Sequence, residues 1–219
     1  MRHHFKKLDS TSKYAKENIS DLRDFDYITC DHQTNGYGVN GIWEGNDKNI
    51  FYTIVFSQSF ANEQTLPFVI LLSIVEVINK YINDIYIKLP NDVFHDGKKL
   101  SGFIIEKKEN SFLIGIGINV HNSPEEFTSF KKIKNQDFDL NIISEQLTSM
   151  IEYNLSMEKK EILNKIKPYI KIIGKKVQYH NKLTLEEFED ECLDINFQQI
   201  IFKKSKIEIV KYKQLLWKK

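Results

Sequence analysis

GKKLSGFIIEKKENSFLIGIGINV, residues 97 to 120, is the stretch that decides the fold. Leu100 to Lys107 and Ser111 to Val120 are rich in β-branched and aromatic residues, and Glu109 with Asn110 supplies a short turn, so the segment predicts two consecutive strands. Side chains alternate across a strand, which places Gly115 and Gly117 on one face and strips that face of side chains. Each such glycine costs roughly 0.5 to 1 kcal/mol unless something packs against it, and a flat ligand is the natural candidate. Asn119 offers a donor and an acceptor at the end of the same strand. Just upstream, Gly97 and Gly102 bracket Lys98 and Lys99, so a cation is available where a ligand could approach bare backbone.

The surroundings extend this hairpin into a sheet domain. Asp84 to Leu89 reads as a further strand, ended by Pro90, which holds Leu89 extended and makes Lys88, Asn91 and Asp92 project at the sheet's carboxyl edge. Taken alone, a lysine and an aspartate beside a turn are a surface ion pair; the neighbouring glycines are what give them interest. NIFYTIVFS, 49 to 57, is apolar on both parities and predicts a central strand covered on both faces. Pro67 followed by FVILLSIVEVINKYI predicts a buried helix. Tyr27 to Cys30 predicts a strand running into DHQTNGYGVNG, a loop by its glycines and asparagines, and LDSTSKYAKENI predicts a strand end followed by a short capped helix. Leu140 to Met157 carries an apolar stripe at helical spacing, and a second helix is expected from Glu158 to Lys167. From Ile170 onward KKVQYH, ECLDINF, QQIIFKK and KIEIVKY are short strands of the kind that build a small β-barrel or sandwich. The expected class is therefore α/β (α+β), a mixed sheet flanked by helices over residues 1–169 and a small β domain over 170–219.

Composition narrows the function. Apolar residues make up 41% of the 219, enough for a core, and 31 basic against 30 acidic residues leave no field that would draw the chain onto nucleic acid or anionic lipid. Cys30 and Cys192 are too few for a disulfide framework and have no metal-ligand spacing, so reduced thiols are expected. The N-terminus has no apolar signal core, and the most apolar run, Leu66 to Ile78, is too short for a bilayer, so a cytoplasmic protein without a membrane span is expected.

Five segments together, LDSTS, CDHQTNGYGVNG, KLPND, KKLSGFIIE and GIGIN, resemble in order and spacing the motifs of the biotin protein ligases. The resemblance runs from about Leu8 to Val120. It implies a class II aminoacyl-tRNA synthetase/biotin ligase-like catalytic domain with a C-terminal SH3-like β-barrel. It also implies a two-step reaction: biotin is activated by ATP to biotinyl-5'-AMP, usually with Mg2+, and then passes to a lysine of a biotin carboxyl carrier protein. By the same carry-over Lys99 is the catalytic lysine, and Asp92 orients or deprotonates the incoming amine. Ser10, Thr11, Ser12, Gln33, Gly36, Tyr37, Gly38, Val39, Gly102, Gly115 and Gly117 would form the biotin site. Lys88, Asn91, Asn119 and Trp43 would meet ATP, and no protein metal ligand is expected. Ser10 and Thr11 read equally well as a helix cap.

The chain departs from the family in its glycine loop, where Tyr37, Val39, Asn40 and Ile42 stand at positions that normally carry arginines. A neutral side chain cannot replace a guanidinium fork on phosphate, so a slow or adenylate-leaking enzyme, or one with a relocated lysine, is expected. The loop is also short, with Trp43 one place early, and Leu89 replaces a tryptophan. No helix-turn-helix pattern precedes the first motif, so a monofunctional ligase without DNA binding, monomeric or homodimeric, is expected. Two alternatives stay open: a lipoate or octanoate ligase of related fold, because NDVFHDGKKLSG also resembles that family, and a degenerate biotin-binding module.

Overall fold

The computed structural model describes residues 1–38, 41–43, 48–181, 187–208 and 215–217. Seven strands form the main sheet, in the order β1 (Arg2–Leu8), β2 (Tyr27–Gln33), β5 (Ile50–Ser57), β9 (Ser111–Ile118), β8 (Lys98–Lys108), β7 (Asp92–His95) and β6 (Ile85–Lys88). β1 and β2 are parallel and every other pair is antiparallel, so the sheet is mixed. A separate two-stranded ribbon joins β3 (Tyr37–Gly38) to β4 (Gly41–Ile42) within the glycine-rich segment.

β5 lies third in the order and is buried along nearly its whole length, as its two-sided apolar pattern predicts. Its parities face different partners. Tyr52, Ile54 and Phe56 join the main core beneath α2 (Leu66–Ile78) and α4 (Leu140–Leu155). Val55 instead packs with Ile28, Leu113 and Ala15 of α1 (Thr11–Glu17) on the opposite face. That second face carries the candidate site. α2 buries eleven of its thirteen residues, each large side chain contributing about 1.5–3 kcal/mol on leaving water. Ser73 is tolerated there because its hydroxyl donates to the Val69 carbonyl and accepts from Asn154 Nδ2 of α4.

Three expectations need revision. The segment after Pro90 is a strand, β7, making a hairpin with β6 through a turn that contains a cis Leu89–Pro90 bond. Because the strands here are antiparallel they share no carboxyl edge, and the motif residues lie on the sheet's face and in its hairpin. α2 ends at Ile78, four residues before the predicted end, where Asn79 caps it. A short helix, α3 (Phe130–Lys134), was not anticipated, because five residues are too few to show a periodicity. α5 (Lys159–Ile166) falls where the second C-terminal helix was expected.

A single-turn 3-10 helix at Lys167–Tyr169 leads to the second sheet. It contains β10 (Lys176–Asn181), β11 (Glu187–Ile195), β12 (Gln199–Phe202), β13 (Lys206–Glu208) and β14 (Leu215–Trp217), ordered β13-β12-β11-β10-β14 and antiparallel throughout. Its Val177, Cys192, Ile195, Ile200 and Phe202 belong to the same apolar cluster as α2, and Phe197 meets Phe68 edge-on at 5.1 Å.

Candidate active site

One row of cross-strand neighbours builds the site. Reading across β5, β9, β8, β7 and β6, the register pairs Phe51 with Gly117, Gly117 with Gly102, Gly102 with Asp92, and Asp92 with Lys88. Directly opposed residues point the same way, so the two central positions are bare and form a trough walled by Phe51 on one side and Asp92 on the other. The next bare position is Gly115, opposite Thr53. A methyl at Gly102 would stand 2.8 Å from Asp92 Oδ1 and 2.9 Å from Lys99 Nζ, and one at Gly115 would stand 2.5 Å from Ser12 Oγ. The glycines are needed for space.

Lys99 reaches this face through an irregularity. It lies three residues from Gly102, an odd separation that in a regular strand sends two side chains to opposite faces. Between Val93 and Phe94 of β7 the partners on β8 jump from Ser101 to Lys99, so β8 carries one extra residue there. Such a bulge resets the alternation. Lys99 Nζ thereby stands 2.8 Å from Asp92 Oδ1 and 5.2 Å from the centre of the Trp43 ring. The ion pair is a charge contact without hydrogen-bond alignment, and the buried Oδ1 accepts no hydrogen bond.

At the other end, a directed chain of hydroxyls ties α1 to β2 and β5. The Thr11 amide and hydroxyl both donate to Gln33 Oε1, at 2.8 and 3.2 Å, which fixes the orientation of the Gln33 amide. Thr53 Oγ1 donates to Thr11 Oγ1 at 2.8 Å. With that proton spent, the 3.1 Å contact between Ser12 and Thr53 has Ser12 as its donor. Among the described residues, the chain therefore leaves the NH2 of Gln33 unused at one end and the lone pairs of Ser12 at the other. Ser10 is the N-cap of α1, accepting from the Lys13 amide, and it also lines the cavity.

The glycine loop closes over the trough. The Trp43 amide donates to the Gly36 carbonyl at 2.9 Å, and the indole lies flat enough on Gly117 that a methyl there would collide with it. Gly36 packs against Gln33, while Tyr37, Gly38 and Trp43 line the cavity. With the indole in the trough the remaining space is about 50 Å3. Val39 and Asn40 lie outside the described residues. Asn91 also lines the cavity, with its Nδ2 donating to the Phe103 carbonyl.

Not all of the expected residues converge. Lys88 Nζ sits over the Phe94 ring on a different, larger groove, and Asn119 is buried beyond the trough, its backbone bonded to Leu100 and Phe130. Conversely Phe51, Thr53 and Lys16 carry no motif and are found only through the register or the contacts they make, while Glu106, which ends KKLSGFIIE, has no role assigned from sequence and is found through its contact with Lys16. Cys30 and Cys192 are free and buried; burial, more than any neighbour, pushes their thiols up to about 12 and about 11, which removes them as nucleophiles at neutral pH. Among the described residues no three His, Cys, Asp or Glu side chains group as a metal site, and no helix is long and apolar enough to cross a membrane.

Comparison with known proteins places this geometry. The chain is 30% identical over 132 residues to the bifunctional ligase/repressor BirA of Bacillus subtilis (strain 168), a match that covers 55% of this chain and 40% of that relative. Its fold is similar to that of a biotin protein ligase from Aquifex aeolicus in complex with biotin and ATP, with a TM-score of 0.84, 24% identity, and 100% and 98% of the two chains covered. It is also similar to a biotin acetyl coenzyme A carboxylase synthetase from Helicobacter pylori, with a TM-score of 0.70, 21% identity, and 94% and 98% covered. The profile of the biotin/lipoate A/B protein ligase family matches residues 4–123, more than half of the chain and the whole of the trough, and the chain belongs to that family.

Proposed function

We propose that the protein is a biotin protein ligase, with residues 1–169 as its catalytic unit and 170–219 as an appended domain. The observation that carries this reading is the bare Gly102–Gly117 row, with a lysine–aspartate pair at one end and an oriented hydroxyl–amide chain at the other. A bicyclic ureido head requires donors and acceptors in a flat slot, and the free amide hydrogens of Gln33 and lone pairs of Ser12 supply both. Ser10, Thr11, Gly36, Tyr37, Gly38 and Gly115 complete that end, and Trp43 and Asn91, which line the trough, are assigned to the nucleotide, with Lys88 and Asn119 lying outside it.

Lys99 neutralises the charge built up when a biotin carboxylate oxygen attacks the α-phosphate of ATP and pyrophosphate leaves. In the second step an amine of the acceptor, a biotin carboxyl carrier protein, attacks the acyl carbon and AMP leaves; Asp92 Oδ1, which accepts no hydrogen bond, is placed to receive the amine's proton. Magnesium would arrive with the nucleotide, and Asp92, the carboxylate at the wall of the trough beside Lys99, would be the side chain to hold it. It would supply further neutralisation of the phosphates.

Biotin-dependent release of pyrophosphate from ATP tests the reading, together with thermal stabilisation by biotin, since a ligand that binds only the native state raises the melting temperature. Stabilisation by lipoate and not by biotin would transfer the assignment to lipoate. Stabilisation by biotin with no pyrophosphate release would reduce the protein to a binding module.

A further inference from the structure

The neutral residues of the glycine loop leave a question of how the loop is held, and Tyr37 supplies an answer. Its hydroxyl donates to Glu106 Oε2 at 2.8 Å. Lys16 Nζ donates to the same hydroxyl at 2.9 Å and to Glu106 Oε1 at 2.5 Å, and it also lies 5.2 Å from the Tyr37 ring centre. Each of the three groups bonds both others. The carboxylate uses both oxygens, the phenol uses its proton and one lone pair, and the ammonium uses two of its three protons.

The members come from three walls of the cavity. Lys16 is on α1, the helix whose first turn contributes Thr11 and Ser12. Glu106 is on β8, on the same parity as Gly102 and Ile104 of the cavity floor. Tyr37 begins the loop ribbon, and its ring lines the cavity. The net charge of the cluster is zero, so it offers no cation to a phosphate and does not take over the work of an arginine. Its effect is mechanical, because helix, floor and loop are pinned at one point.

We propose that Lys16, Tyr37 and Glu106 form a clasp that fixes the near limb of the 36–43 loop against the sheet before any ligand arrives, so that this wall of the acid-binding cavity is preformed. The three are positioning residues, and the proposal rests on the biotin reading of that cavity. A preformed wall spares the ligand the cost of ordering the loop, so loosening it weakens binding more than it slows the chemistry. The clasp is also built to persist over the neutral range. Burial alone would lower the Lys16 pKa, but the hydrogen bonds to Glu106 and Tyr37 outweigh it and the net shift is upward. Burial, reinforced by Glu106, raises that of Tyr37.

The experiment measures biotin binding by calorimetry, and KM and kcat for pyrophosphate release, in the full-length protein and four variants. Tyr37→Phe keeps the ring and removes the hydroxyl, and is expected to raise the biotin Kd and KM about five- to tenfold with kcat within about twofold, the size of one lost hydrogen bond. Lys16→Glu sets two carboxylates together and is expected to do more, Glu106→Lys likewise, and the Lys16→Glu/Glu106→Lys exchange restores most of the affinity by reversing the pair. Amide exchange at residues 36–38 is expected to quicken in the single variants and return in the exchange. Unchanged biotin affinity in Tyr37→Phe, or variants that lose thermal stability without a KM-against-kcat split, would overturn the clasp. A wild-type protein that binds no biotin would instead overturn the reading beneath it.

Discussion

Two hollows open beside the β6–β7 hairpin and they differ in kind. The larger, about 420 Å3, lies where that hairpin meets residues 170–177; its floor includes Ile87, Leu89, Ile170 and Ile172, and its rim Lys88, Lys171, Lys175 and Lys176. The smaller, about 50 Å3, lies over Gly102 and Gly117 and is enclosed by Ser12, Thr11, Gln33, Lys99 and Trp43. The larger one is a gap between packed elements with flexible ammonium groups at its edge. The smaller one is floored by missing side chains and lined by polar groups that are buried, paired and oriented. Buried polar groups are costly unless satisfied, so their concentration, and not the size of the space, marks out the candidate site.

The largest effect that could break this contrast comes from Lys99→Ala. Removing the described cation of the trough is expected to slow biotin-dependent pyrophosphate release by at least about 100-fold, as loss of a positioned charge donor does elsewhere, with the fold retained by circular dichroism. A surviving rate would mean that another cation serves the phosphate.

Glycines separate the two hollows more finely. Gly117→Ala places a methyl against the Trp43 indole, the far end of a side chain that can move, so the melting temperature is expected to stay near that of the parent while biotin binding is lost. Gly174, in the segment that borders the larger hollow, has open space around it and a φ of +76°. Gly174→Ala is therefore expected to cost about 1 kcal/mol, a few degrees of melting temperature, and to leave biotin binding intact. Calorimetry and a melting curve on each variant read the cross; equal effects would erase the distinction. Between these, Gln33→Leu strands the Thr11 amide and is expected to destabilise by about 1–3 kcal/mol while also weakening biotin binding, again by melting and titration.

Much of the trough could be read before the coordinates because its signal is local. GIGIN places its glycines two apart, and period two is all that a bare face requires. KKLSG puts a lysine near them, but its arrival on their face depends on the bulge opposite Val93 and Phe94, and a one-residue insertion in pairing leaves no mark in a single strand's sequence. Thr53 sits in a run that reads as plain core, and only register brings it to Gly115 and Thr11. Lys16 and Glu106 are 90 residues apart, and although Glu106 ends KKLSGFIIE, nothing in either segment pairs it with Lys16 until the helix is laid across the sheet. Lys88 shows the converse: it lies in KLPND, but its side chain, on an edge strand, sits over Phe94 and lines the groove outside the trough. The helices α2 and α4 were legible from apolar content and spacing, whereas β7, a four-residue strand that begins two residues after Pro90, was hidden by the turn signal beside it.

The smallest expected effect is at the rim of the larger hollow. Lys171, Lys175 and Lys176 are exposed and border the larger hollow, and none of them lines the trough. Lys171 lies 4.0 Å from the Tyr86 ring centre, a cation–π contact of about 0.5–1 kcal/mol at an exposed site. Replacing all three lysines by glutamate is therefore expected to lower stability slightly and to leave pyrophosphate release with biotin and ATP within about twofold of the parent, because the three line the other hollow and salt screens exposed charges over a Debye length of about 8–10 Å. The assay should be repeated at low ionic strength. If adenylate formation falls there and recovers with salt, the rim lysines act on the trough through space, and the two hollows work as one electrostatic site.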